Sequence, residues 1–230
     1  LLIVSRPRTR STDVAASVRE QLIILKDRRI ILVLVMKAFG MAATYVFYVY
    51  VTPIMEDSLG LSVWMVSFVL FFYGAATIVS NLGSGSLAQR YGLGKLPMMF
   101  AMQAVVLALL GVSLASGITA LAVVNIVLTG VFIYHMNAPL QSYLLQVSSQ
   151  DYPRALTLAS AVMPTSSDLG IATGSFLGGV VASSGIGFVW SGPVGALLAV
   201  VSVVAAFMIL QPESRMGGSL RSRRKKAERK

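Results

Sequence analysis

The segment Ile30–Thr52 reads IILVLVMKAFGMAATYVFYVYVT, and Lys37 is its one charged side chain. A helix of about 20 apolar residues, at about 1.5 Å per residue, crosses the roughly 30 Å of bilayer hydrocarbon. The run is too long for a membrane β-strand and does not alternate with period two, so a β-barrel is excluded. Five similar segments follow: Ser62–Leu82, Leu96–Ser116, Thr119–Leu145, Pro153–Val181 and Trp190–Leu210. The fourth and fifth are overlong; Pro139 and Pro164 are expected to kink them, and tilt takes up the remainder. The chain is 56% hydrophobic and 12% charged, with a mean hydropathy of +0.77. Soluble domains carry about 25% charged residues. The reading is an all-α polytopic membrane protein with six transmembrane helices. Residues 1–29 form a leading segment, 30–210 the bundle and 211–230 a basic tail.

Charge sets the expected orientation. Of the 19 lysines and arginines only Lys37 lies deep inside a span; Arg154 stands at the very start of the fifth. The rest lie before the first span, in the second-to-third loop (Arg90, Lys95), in the fourth-to-fifth loop (Arg154) and in the tail. All are on one side of a six-span topology, whereas the loop after the first span carries Glu56 and Asp57. By the positive-inside rule the basic side, with both termini, is cytoplasmic. The formal net charge of +10 therefore needs no nucleic acid to explain it. The tail after Pro212 is expected to be disordered and drawn to anionic lipid. Val14, Val18, Leu22 and Leu25 recur at helical spacing, so Ser11–Leu25 reads as an amphipathic interfacial helix; a solvated linker is the alternative. The sequence has no cysteine and begins with Leu, which suggests a fragment or a processed product.

Ionisable side chains inside a span cost about 2.5–3.5 kcal/mol on insertion scales, so each is a site candidate. Lys37 lies about two turns into the first span, either snorkelling to the inner interface or facing a site. Asp168, near the middle of the fifth span, either pairs with Lys37, carries a proton, or bonds Ser166, Ser167 or a carbonyl freed by Pro164. Met41, Tyr45, Tyr48 and Thr52 share a face with Lys37. Gly130, Tyr134, Asn137 and Gln141 form a second stripe on the fourth span. Beside it stands His135, the one histidine, which is either a proton carrier or a bonded structural residue. Asn125, on the same span, is expected to bond a neighbouring helix. Gly170, Gly174 and Gly178 form a small-residue seam for close helix packing.

The stretch Gly85-Ser86-Leu87-Ala88-Gln89-Arg90-Tyr91-Gly92-Leu93-Gly94-Lys95 resembles the G-x-L-A-D-R-x-G-R-K loop of the major facilitator superfamily. The run from Asp168 to Gly179 is similar to the glycine-rich eleventh helix of bacterial drug and sugar efflux permeases in that superfamily. Tyr45-Val46-Phe47-Tyr48 running into Thr52-Pro53 resembles their seventh helix. The resemblance implies the C-terminal six-helix half of a twelve-helix transporter, partnered by an N-terminal six-helix half to which residues 1–29 form the cytoplasmic linker. It implies a cavity lined by Tyr45, Tyr48, Tyr134, Asn137 and Gln141 for a small-molecule substrate. Lys37, His135 and Asp168 become candidates for coupling to protons or another ion, and Gly85, Gln89, Arg90, Gly92 and Lys95 form a gating loop. Gln89 replaces the motif's acid, so that loop lacks its charge.

The expected function is proton-coupled efflux of drugs, sugars or other small metabolites across the cytoplasmic (inner) membrane. The alternatives are a non-transporting six-span scaffold or assembly subunit, an inactive transporter remnant, or a solute channel. The polar stripes are too broken for a channel lining. The sequence carries no P-loop, metal-ligand cluster or catalytic triad, so no enzyme and no cofactor are expected. The cysteine-free background allows a direct test of topology. A membrane-impermeant thiol reagent is expected to label Glu56→Cys only from outside the cell and Arg90→Cys only from the cytoplasmic side. Labelling of both from one side overturns the six-span reading.

Overall fold

The computed structural model describes residues 21–185 and 187–227, with side chains as far as 211. The long helices are α1 (Arg28–Tyr48), α2 (Val63–Tyr91), α3 (Leu96–Ala115), α4 (Thr119–Phe132), α5 (Asn137–Asp151), α6 (Leu156–Ser183) and α7 (Ser191–Ala227). Most of the expected amphipathic segment Ser11–Leu25 lies outside the described residues; its described end forms a short 3-10 turn, Leu22–Lys26. The backbone of α7 runs to Ala227 through a region expected to be disordered. A helix already nucleated in the bundle extends without a new nucleation cost.

The helix ends follow local chemistry. Asp27 caps α1 by accepting the backbone N–H of Arg29 at 2.8 Å, which satisfies one orphan donor. The second span is longer than its apolar run: α2 continues past Leu82 to Tyr91 and stops at Gly92, whose φ of 53° reverses the backbone. Most of the Gly85–Lys95 stretch is therefore helix, and the turn itself is only Gly92–Lys95.

The two prolines behave differently. The fourth span is not one kinked helix: α4 ends at Phe132 and α5 begins at Asn137. Pro139 lacks an N–H and its ring clashes with the carbonyl four residues back, at His135, so the interruption falls just upstream of it. Pro164, expected to kink the fifth span, lies inside the continuous helix α6.

Among the described residues, five helical segments are long and apolar enough to cross a membrane: Arg28–Tyr48, Val63–Tyr91, Leu96–Ala115, Thr119–Asp151 and Phe188–Gln211. Helix α6 is richer in hydroxyls, yet most of these donate to backbone carbonyls. Ser160, Thr165, Ser167, Thr173 and Ser175 donate to carbonyls four residues back, and Ser166 donates to the carbonyl of Leu34. A satisfied hydroxyl removes most of the penalty of leaving water. The bundle is inverted relative to a soluble protein, with Trp64 80% and Phe71 70% exposed on α2. Together these features make a multi-pass α-helical membrane protein.

Around the bundle, α1 packs on α6 and α7, α7 on α3, α3 on α4, α4 on α2, α2 on α5 and α5 on α6. One core cluster gathers Ile24, Ile30, Leu93, Leu96, Val147, Ala155 and Ile209 at one end. A second gathers Phe47, Val51, Ile54, Leu61, Val66 and Leu110 at the other. The described turns thus alternate between the two ends, and Arg28, Arg29, Arg90, Lys95 and Arg154 lie near residues of the first cluster in sequence.

The closest packing is between α1 and α6. A Cβ added to Gly170, Gly174 or Gly178 would sit 2.2, 2.5 or 2.2 Å from the carbonyl oxygen of Ala38, Ala42 or Val46. Gly192 and Gly195 of α7 press in the same way on the carbonyls of Leu107 and Ala43. At the basic end, Arg29 bridges Asp27 at 2.7 Å and Asp151 at 2.5 Å, and the Tyr152 hydroxyl donates to Asp27 at 3.1 Å. The start of α1 is thereby tied to the end of α5. The Arg29 guanidinium, with help from Tyr152, holds the Asp27 carboxyl below its ordinary 3.8 against the opposing effect of burial.

Two predictions follow from these contacts. Gly178→Ala forces α1 and α6 apart, and overpacking of this kind costs about 1–3 kcal/mol. The expected result is a lower Tm in nanodiscs, while Gly74→Ala, whose Cβ meets nothing within 4 Å, leaves Tm unchanged. A depressed carboxyl pKa stabilises the fold above its unfolded value and loses that contribution as pH falls through the lowered folded value. Arg29→Met is therefore expected to lower Tm at neutral pH, and the gap to wild type is expected to narrow once pH drops below 3.8. A gap that stays constant with pH overturns the assignment.

Candidate functional site

The break between α4 and α5 organises the polar chemistry of the bundle. Interrupting a helix in an apolar environment frees backbone N–H groups that water cannot satisfy. Helix α2 supplies the partners. Ser80 Oγ accepts the N–H of Tyr134 at 3.0 Å, and Ser84 Oγ accepts the N–H of Ala138 at 2.8 Å. Both serines are buried. Their spacing of four matches the spacing of the two amides, so one helix face splints the break.

Asn137, the first residue of α5, stands where three elements meet. Its Oδ1 accepts from Lys37 Nζ of α1, and its Nδ2 donates to Asn81 Oδ1 of α2 at 3.2 Å. Lys37 is 7% exposed, so its ammonium ends on Asn137 and not at the basic end of the helix. A cavity of about 580 Å³ opens beside this triad, lined by Lys37, Asn81, Asn137 and Gln141 on one side and by Pro164, Ser167 and Asp168 of α6 on the other. A second cavity of about 320 Å³ shares Asn81 and Asn137 and adds Thr77, Ile78, Leu82 and Tyr134.

Lys37 and Asp168 share a cavity but form no ion pair: among the described residues, only Arg29 pairs with a carboxylate. The serines offered by the sequence as partners of Asp168 are committed elsewhere, Ser166 to Leu34 and Ser167 to Met163. Asp168 is exposed on the surface of the bundle.

A tyrosine layer lies further along α1. Tyr45 and Tyr48 meet edge to face at 5.5 Å, and Tyr48 stacks on Tyr73 of α2 at 5.0 Å and 20°. Tyr134 lies at the level between this layer and Asn137, because its amide is held by Ser80. Met41, on the same sequence stripe, is buried in the core.

Most of the other residues singled out by the sequence lie apart from the cavities. His135 is 2% exposed between Phe100 and Phe132, with its Nδ1 on the Phe132 carbonyl. Gly130 faces Tyr73, whose carbonyl would be 3.1 Å from an added Cβ. Asn125 is buried, and its Oδ1 has no hydrogen-bond partner among the described residues. Gly85 lines the larger cavity, whereas Gln89 and Arg90 are exposed in the last turn of α2 and the Lys95 ammonium lies 5.5 Å from the Tyr91 ring centroid.

Several site residues escaped the sequence reading. Tyr73, Thr77, Ser80, Asn81 and Ser84 form a polar stripe on α2 at helical steps, a signal present in the sequence but overshadowed by the apolar residues between them. Gln103, 1% exposed, donates to the carbonyl of Gly40 at 2.9 Å and to Thr44 Oγ1 at 3.0 Å. It joins α3 to α1 where Gly40 leaves room.

Comparison with known proteins agrees with this architecture. The profile of the Major Facilitator Superfamily matches residues 30–229. The chain is 32% identical to the MFS-type transporter YtbD of Bacillus subtilis strain 168, over 82% of this chain and 47% of that protein. It is 26% identical to the inner membrane transport protein YdhP of Escherichia coli K12, over 86% of this chain and 50% of that protein. The chain spans about half the length of these relatives. A multi-pass helical bundle with a polar cavity, matched by this profile across most of its length, belongs to the Major Facilitator Superfamily.

Proposed function

We propose that this chain is the C-terminal six-helix half of a secondary transporter that expels a small molecule by alternating access. The observation that carries the reading is the cavity holding Lys37, Asn81, Asn137, Gln141 and Asp168 in an otherwise apolar bundle. Each charged group there costs insertion energy that packing alone does not require. An inert scaffold has no use for such an expense, and no observation favours that alternative.

In this reading α6 also crosses the membrane, as the fifth of six spans, and both ends of the chain face the cytoplasm. Residues 1–29 join this half to an N-terminal six-helix half, which closes the open side of the cavity where Asp168 is exposed. The two halves rock about the shared cavity. The residues lining the larger cavity bind cargo, with Tyr134 of the adjoining cavity beside them, whereas Tyr45 and Tyr48 line neither cavity. The basic tail adheres to anionic lipid. Asp168 is the coupling group: it is the one carboxylate on the cavity wall and has no fixed cationic partner. Loading and release of a proton there, as access alternates, would drive transport. His135 is less suited to this role because it faces neither cavity.

The test is efflux from vesicles containing both halves, with wild type and Asp168→Asn compared across pH. Wild type is expected to drive concentrative efflux that depends on the proton gradient. The variant is expected to lose concentrative, pH-dependent efflux, and whatever cargo exchange remains at equilibrium is expected to be independent of the proton gradient. Unchanged efflux with an unchanged pH profile overturns the coupling role.

A further inference from the structure

Two opposite charges line one cavity without meeting. An ammonium has three donors; Lys37 uses one on Asn137, and the others have no partner among the described residues. Asp168 forms neither a hydrogen bond nor an ion pair among the described residues, so its carboxylate is unmatched on the opposite wall. The two side chains are further apart than the 4.0 Å of an ion pair. The space between them belongs to a cavity of about 580 Å³, a size that accommodates a small organic ligand.

A ligand carrying only a negative charge could use Lys37 but would meet the like charge of Asp168. One carrying only a positive charge could use Asp168 but would lie in the field of Lys37. Only a ligand charged at both ends satisfies both walls, because each wall then rejects the wrong end of the molecule. The adjoining cavity is lined by Ile78, Leu82 and the Tyr134 ring, and the two cavities join at Asn81 and Asn137. That region suits an apolar or aromatic body.

We propose that the cargo is a small zwitterion with an apolar or aromatic body, its anionic end on Lys37 and Asn137 and its cationic end on Asp168. This rests on the transporter reading of the cavity.

The test uses three probes on one skeleton: L-phenylalanine with both charges, 3-phenylpropanoate with the negative one and 2-phenylethylamine with the positive one. Equilibrium binding is measured on the two-half transporter in nanodiscs at neutral pH. Phenylalanine is expected to bind about tenfold or more tighter than either partner, the scale of one added charge-assisted contact. Lys37→Met is expected to abolish the advantage over the amine, Asp168→Asn the advantage over the carboxylate, and Lys37→Arg to retain most of the binding. The wild-type ranking needs no variant to fold. Equal binding of the three probes, no binding of any, or tightest binding of a singly charged probe overturns the proposal. Counterflow in vesicles separates the two readings. The expected ranking without counterflow leaves the zwitterion site standing and removes transport. Counterflow of other solutes without the ranking keeps transport and overturns the zwitterion site.

Discussion

Backbone polar groups buried in lipid must find partners within the protein, and this bundle depends on how that demand is met at one place. An unbroken helix satisfies itself. The chain breaks its fourth span upstream of Pro139, and the amides exposed there would each cost several kcal/mol in hydrocarbon if left alone. Ser80 and Ser84 accept them from α2. This arrangement holds α2 against the break and places Asn81, between the two serines, beside Asn137. Lys37 then reaches Asn137 from α1. The polar centre of the molecule follows from repairing a helix defect.

The rest of the bundle provides a rigid frame for that centre. The glycines of α6 bring its backbone against the carbonyls of α1, and Gly192 and Gly195 do the same from α7. Apolar packing against lipid gives little net driving force, so close backbone approach and hydrogen bonds such as Ser166 to Leu34 and Gln103 to Gly40 define the helix positions. Helix α5 runs from Asn137 at the cavity to Asp151 in the Arg29 ion-pair cluster. One rigid rod thus connects the polar centre to the basic end of the bundle.

The two charged walls of the cavity are also a consequence of helix placement. Lys37 and Asp168 lie on neighbouring helices, and simple adjacency would allow them to neutralise each other. Asn137 instead captures the ammonium, and the hydroxyls near Asp168 are tied to carbonyls. Both charges remain available on the wall of one cavity. Lys37 is the buried one of the two, and a buried charge is tolerable where a partner such as Asn137 holds it.

Much of the fold was legible in the residues alone, because the bilayer imposes a length and a polarity that apolar runs display directly. Ile30–Thr52 declares itself a span, the basic residues cluster between spans, and Lys37 and Asp168 stand out because charge is costly there. The sequence determined this much by hydropathy and charge, which need no neighbours to be read. Tertiary structure alone decided that the fourth span breaks before Pro139 while α6 runs through Pro164, since proline's effect depends on whether other helices supply partners. It also decided that His135 turns into the core and that Asn81 and Tyr73 join the site. Those outcomes depend on contacts between residues far apart in the chain, and helical spacing in one segment carries no information about which helix will face it.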